Sequence, residues 1–218
     1  MRQPLKELNE MFEPDARSTG FGRYDAAGRH TKTIQDHYTD IRAIELSDGV
    51  PETIRDEFDT IRNLYLYAWY VYDFTVPATL YACALTEKAI REKYARSGLP
   101  PKEHPGLSSL LKTCIDRGWL TNAAFPFALE WVDEDLVSPG SNSDMPGVRS
   151  KARYLPGGTN YCEKLARALP KIRNAGAHGE AGLDFPQSAL GIIEICACIV
   201  NALFPATGGT ADQSGRGR

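Results

Sequence analysis

A chain of 218 residues, 42% of them hydrophobic, is long and apolar enough to close one substantial core, which excludes disorder throughout. Its formal net charge of −3 excludes a surface that coats nucleic acid nonspecifically, because such binding rests on neutralising many phosphates; a local cationic cleft stays open. The five cysteines have no Cys-x-x-Cys spacing and are expected as small core residues of a reducing compartment.

Residues 1–30 are rich in Gly, Arg, Asp and Glu with few apolar anchors and read as an irregular arm. Residues 31–46 are open between two readings, a helix through the spacing of Ile34, Tyr38 and Ile41, or a short strand over 41–46. From Pro51 the period is helical. Ile54, Phe58, Ile61, Tyr65, Trp69 and Tyr72 form one apolar stripe that Pro77 should end. Its aromatic density reads as core packing rather than a base-stacking surface, because stacking platforms need exposed rings. A second helix over residues 78–97 places Leu80, Cys83, Glu87, Ile90 and Tyr94 on one face, so Glu87 is a carboxylate within an apolar stripe. It either pairs with Arg173 or sits at the stripe's edge and reaches water.

Leu107, Leu110, Leu111, Cys114 and Ile115 mark a short helix that Gly118 can end. Phe125, Leu129, Val132 and Leu136 mark another, whose acidic run over 130–135 keeps that surface unattractive to RNA. Residues 138–158 hold repeated Pro and Gly and read as a loop overhanging a site, where Arg149, Lys151 and Arg153 either contact an RNA backbone or are simply solvated. Tyr161, Leu165, Ala168 and Ile172 stripe the next helix, which Pro170 should kink or restart. The last helix, over residues 187–203, is apolar nearly all round, as a central helix should be. The longest apolar run, 189–204, is interrupted by Glu194 and Asn201, so no membrane span is expected; residues 1–7 lack the apolar core of a signal peptide, and a cytoplasmic location follows as the expectation.

Residues 173–178 read Arg-Asn-Ala-Gly-Ala-His, which puts a permanent cation, an amide and a titratable imidazole within one and a half helical turns. Arg23 and His30 also fit an Arg-x6-His spacing, but in a Gly-containing stretch without helical period. The second match follows an amphipathic helix, carries Asn directly after Arg and precedes the most apolar helix. It resembles the signature of the HEPN superfamily, Arg, a polar residue, a short spacer and His between two helices. The resemblance spans residues 51–205, and only the Arg-Asn-(x)3-His string is diagnostic. It implies an all-α, HEPN-like bundle of about five to six helices, with residues 1–50 as an irregular N-terminal extension and 206–218 as a flexible tail. It further implies a homodimer with two motifs facing each other, and often a metal-independent ribonuclease of toxin or phage-defence type, with RNA as substrate and a possible neutralising protein partner.

On this reading Arg173, Asn174 and His178 are the catalytic set, Glu87 supports them, and neither cofactor nor metal is needed. If the backbone stays helical, Asn174 and His178 share a face while Arg173 points about 100° away, and Gly176 weakens the helix there. A local unwinding or a second copy of the site would bring Arg and His to one phosphate. A bland alternative stands beside it: Arg173 only bridges Glu87 or a helix end, and His178 is a helix-end residue. A noncatalytic HEPN-like interaction module, binding a protein or nucleotide, is the competing function. A metal hydrolase is disfavoured, because four scattered His residues have no His-x-x-x-His spacing.

Overall fold

The computed structural model describes residues 5–25, 28–99, 106–126, 129–133, 150–154, 161–178 and 185–206. Within them the chain is all-α, with seven helices and two antiparallel two-stranded ladders.

The described part of the N-terminal extension carries short elements. Asp15 caps α1 (Ala16–Thr19) by accepting the Arg17 N–H, and β1 (Gly22–Asp25) pairs with β2 (Gly28–Thr31). Residues 31–46 resolve to a helix, α2 (Ile34–Arg42). The reason is local: Thr33 and Asp36 form a capping box, the Thr33 hydroxyl accepting the Asp36 N–H at 3.2 Å and the Asp36 carboxylate the Thr33 N–H at 2.9 Å. These elements dock on the turn after the next helix. The Asp15 N–H bonds to the Trp69 carbonyl at 3.0 Å, Ser18 bonds to the Ala68 carbonyl at 3.2 Å, and Arg17 bridges Asp15 and Asp73 over the Tyr72 ring.

The expected stripe Ile54, Phe58, Ile61 and Tyr65 is the buried face of α3 (Glu52–Tyr67). Trp69 and Tyr72 are buried too, but from the turn beyond it. Pro77 does not end the run. It lies in the first turn of α4 (Thr75–Arg96), where a missing N–H removes no helical bond. α4 is the centre of the fold and packs on α3, α5 (Leu107–Asp116), α6 (Tyr161–Ala177) and α7 (Pro186–Leu203). Its buried face includes the small residues Ala78, Thr79, Ala82, Cys83, Thr86 and Ala89, and the Thr79 and Thr86 hydroxyls donate to carbonyls one turn earlier. Gly118, at φ 68°, closes α5: its N–H reaches Ile115 O and the Trp119 N–H reaches Cys114 O.

The helix expected over Phe125 to Leu136 does not form. Pro126 disfavours the helical region for Phe125, which is extended at φ −118°, ψ 89°, and residues 129–133 instead form β3 (Leu129–Asp133), paired with β4 (Ser150–Tyr154). Phe125 itself is buried edge-on against Tyr161. Apart from β4, the 138–158 loop lies outside the described residues, as do positions 207–218 of the tail. α7 is the one helix among the described residues long and apolar enough to cross a membrane; in this fold Ala189, Ile193, Cys196, Ala197 and Val200 are buried and α7 packs on α4. Four of the five cysteines are buried, Cys198 is half-buried, and none forms a disulfide.

Candidate functional site at the end of α6

α6 runs unbroken through Pro170, neither restarting nor ending there. Proline has no N–H for the Ala166 carbonyl, and the Ser108 hydroxyl of α5 supplies the missing donor at 3.2 Å. The buried face is Cys162, Leu165, Ala166 and Leu169, so the helix is turned slightly from the expected stripe: Ala168 is exposed and Ile172 half-buried.

The helix continues to Ala177, and the His178 N–H closes the last turn on the Asn174 carbonyl at 2.9 Å. Gly176 does not unwind it. A Cβ there would stand 2.5 Å from Leu80 Cδ2 and 2.9 Å from its Cγ, so this glycine is where α6 closes on α4. That approach brings the motif to Glu87. Arg173 Nη2 stands 3.9 Å from Glu87 Oε2, while Arg91 holds the other oxygen at 2.6 Å. Glu87 is half-buried, its side chain 18% exposed, so both sequence readings hold in part: it sits at the edge of the stripe and two guanidiniums converge on it. Arg173 Nη1 also donates to Asn174 Oδ1 at 3.2 Å.

Arg173, Asn174 and His178 are all exposed, and the structure brings Arg173 to Asn174 and Glu87. It does not bring the Arg173 guanidinium to the imidazole within one chain; no hydrogen bond of the His178 ring is found among the described residues. Arg149 lies outside the described residues. Lys151 and Arg153 lie in β4, opposite Val132 and Glu130, with side chains outside the description. The discounted pair Arg23 and His30 are direct cross-strand partners of the β1–β2 ladder, so a two-residue period aligns what a helical search rejects.

Sequence reasoning missed a second feature. Lys164, Arg167, Lys171, Asn174 and His178 follow each other at three and four residues and are all exposed, which makes one polar face of α6 running along the helix to the imidazole. Lys164, Arg167 and Lys171 have no ion-pair partner among the described residues. Arg91, which shares Glu87 with Arg173, adds a further cation beside the motif. The signal was the same period used for the apolar face, read on the charged residues. No group of three or more His, Cys, Asp or Glu side chains is placed to hold a metal ion among the described residues. Comparison with protein-family models, curated proteins and solved structures finds no match to this chain.

Proposed function

We propose that the exposed face of α6 is a metal-independent endoribonuclease site of HEPN-like type. The observation that carries this reading is the row Lys164, Arg167 and Lys171, three exposed cations followed on the same face by Asn174 and His178, with the Arg173 guanidinium held at Asn174 and Glu87. A short cationic track binds phosphates locally although the chain as a whole is acidic.

In the proposed reaction His178 takes the proton of an RNA 2′-hydroxyl as its oxygen attacks the adjacent phosphorus. The bond to the 5′-oxygen breaks, the partner's His178 gives that oxygen a proton, and Arg173 stabilises the charge on the phosphorane oxygens. The products are a 2′,3′-cyclic phosphate and a 5′-hydroxyl. A second copy is needed because one chain offers one imidazole for two proton transfers, and a twofold axis at the end of α6 pairs them. DNA lacks the nucleophile.

The test is incubation of the purified chain with total RNA in chelator, beside Arg173→Ala and His178→Ala. Cleavage with cyclic phosphate ends is expected, reduced by about a hundredfold or more in the His178 variant. Metal-dependent cleavage, or cleavage that persists undiminished in both variants, overturns the assignment. RNA binding without cleavage points to the noncatalytic interaction module instead.

A further inference from the structure

Six of the eight large hydrophobic side chains exposed among the described residues fall on two neighbouring surfaces. One is the segment before α1, where Leu5, Leu8, Met11 and Phe12 are 96%, 86%, 48% and 71% exposed at near-helical spacing. The other is a groove of about 490 Å³ between α2 and the end of α3, lined by Ile34, Tyr38, Leu66, Tyr67 and Tyr70, with Tyr38 and Tyr67 about half exposed. The surfaces meet where Phe12 sits edge-on to Tyr70, with ring centroids 6.3 Å apart. Exposed apolar area clustered this way marks an interaction site rather than ordinary surface scatter.

We infer that residues 5–12 of one copy of this chain dock in the α2–α3 groove of a second copy, reciprocally. Charge selects this occupant. The segment interleaves its apolar residues with Glu7, Glu10 and Glu13, exposed carboxylates with no ion-pair partner among the described residues, while the Arg42 guanidinium lies 6.0 Å over the Tyr38 ring at the groove and likewise has no carboxylate partner among them. Asp36 and Asp40, the acids of α2, are engaged by Thr33 and Lys32. The Lys6 ammonium donates to the Glu10 and Glu13 carbonyls and holds the segment curled, so it presents a preformed apolar face rather than a loose chain. Both surfaces belong to every copy, which is the self-complementary condition for a closed twofold pair. The ribonuclease reading also calls for a second copy, at the end of α6, so what separates the two is whether variants in residues 5–12 and the α2–α3 groove weaken the dimer; the test contains no activity measurement.

Sedimentation equilibrium of the full chain over a micromolar series should show a dimer. Leu8→Glu, which carries a carboxylate into the groove, and Tyr67→Glu, which puts one on its wall, should each raise the dissociation constant by about tenfold or more. Arg42→Glu should weaken the dimer and Glu10→Arg in the same chain should restore it. A chain with Leu8→Cys mixed with one carrying Thr39→Cys should form a crosslinked heterodimer with a short bis-maleimide. A chain that stays monomeric, a dimer that neither Leu8→Glu nor Tyr67→Glu weakens, or a mixture of the Leu8→Cys and Thr39→Cys chains that gives no crosslinked heterodimer overturns the inference. Leu8 is so exposed that its variant decides the matter even if Tyr67→Glu fails to fold.

Discussion

Glu87 is held between Arg91 at 2.6 Å and Arg173 at 3.9 Å, and both guanidiniums are nearly half exposed. The deep ion pair that a carboxylate on an apolar stripe suggests, worth about 3 kcal/mol when broken, is therefore not what this residue makes. Glu87→Ala should cost about 1 kcal/mol or less in urea unfolding. Its larger effect should fall on activity, because Arg173 loses its anchor; Glu87→Gln should retain more activity than Glu87→Ala by keeping an acceptor oxygen. A loss of several kcal/mol would show that the pair is more deeply buried than this geometry allows. Arg173→Ala and His178→Ala replace exposed side chains and should leave the melting temperature nearly unchanged.

Two helix contacts make separable predictions. At the α2–α3 contact, His37 is 2% exposed, stacks on Tyr65 with centroids 4.4 Å apart, and its Nε2–H donates to the Tyr65 carbonyl at 2.8 Å. Burial lowers its pKa from 6.5 to about 4; the nearby Lys32 charge acts in the same direction, and the Tyr65 bond and Asp40 oppose it. The unfolded chain thus binds a proton that the folded chain refuses. Stability is fully present above pH 6.5 and falls as pH drops towards about 4, by an amount of order 3 kcal/mol. Thermal melts across this window should show the fall in the wild type and a flatter profile in His37→Gln, which keeps a donor for Tyr65 without titrating. Equal slopes in both proteins would assign the pH dependence elsewhere.

At the α4–α6 contact, Gly176→Ala gains about 1 kcal/mol of helix propensity but drives its methyl into Leu80, an overpacking of about 1–3 kcal/mol. A net loss is expected. In a Leu80→Ala background the same change should turn neutral or stabilising, and denaturant unfolding of the four proteins of the cycle reads the coupling. Simple additivity would mean that the helices do not meet at this glycine.

Over the whole molecule, Asn201 joins the segment between α2 and α3 to the last helix. Its Oδ1 accepts the Ser47 N–H at 2.8 Å, its Nδ2 donates to the Glu45 carbonyl at 3.0 Å, and Ser47 bonds to the Phe204 carbonyl at 2.9 Å. Asn201→Ala should cost about 1–3 kcal/mol in urea unfolding by orphaning the Ser47 N–H, and Asn201→Asp, which keeps only the acceptor, should lie between it and the wild type. An unchanged midpoint in both would make the clamp dispensable.

What the sequence determined by itself is the helical class and the apolar faces of α3, α5 and α7, because burial imposes a period that the spacing of apolar residues reveals. It also located the Arg-Asn-(x)3-His string on a helix, together with the carboxylate at Glu87 that lies near it. Only the tertiary structure decided the rest, because each remaining choice rests on partners distant in the chain. Residues 129–133 take a strand in a ladder with 150–154, against a misleading three-and-four spacing. Gly176 is a contact rather than a weak point because Leu80 lies opposite, and Pro170 is tolerated because Ser108 faces the freed carbonyl. The aromatic positions divide the same way: the periodic rings of α3 are core, while Tyr67 and Tyr70, off that period, form an exposed wall only because α2 folds beside them.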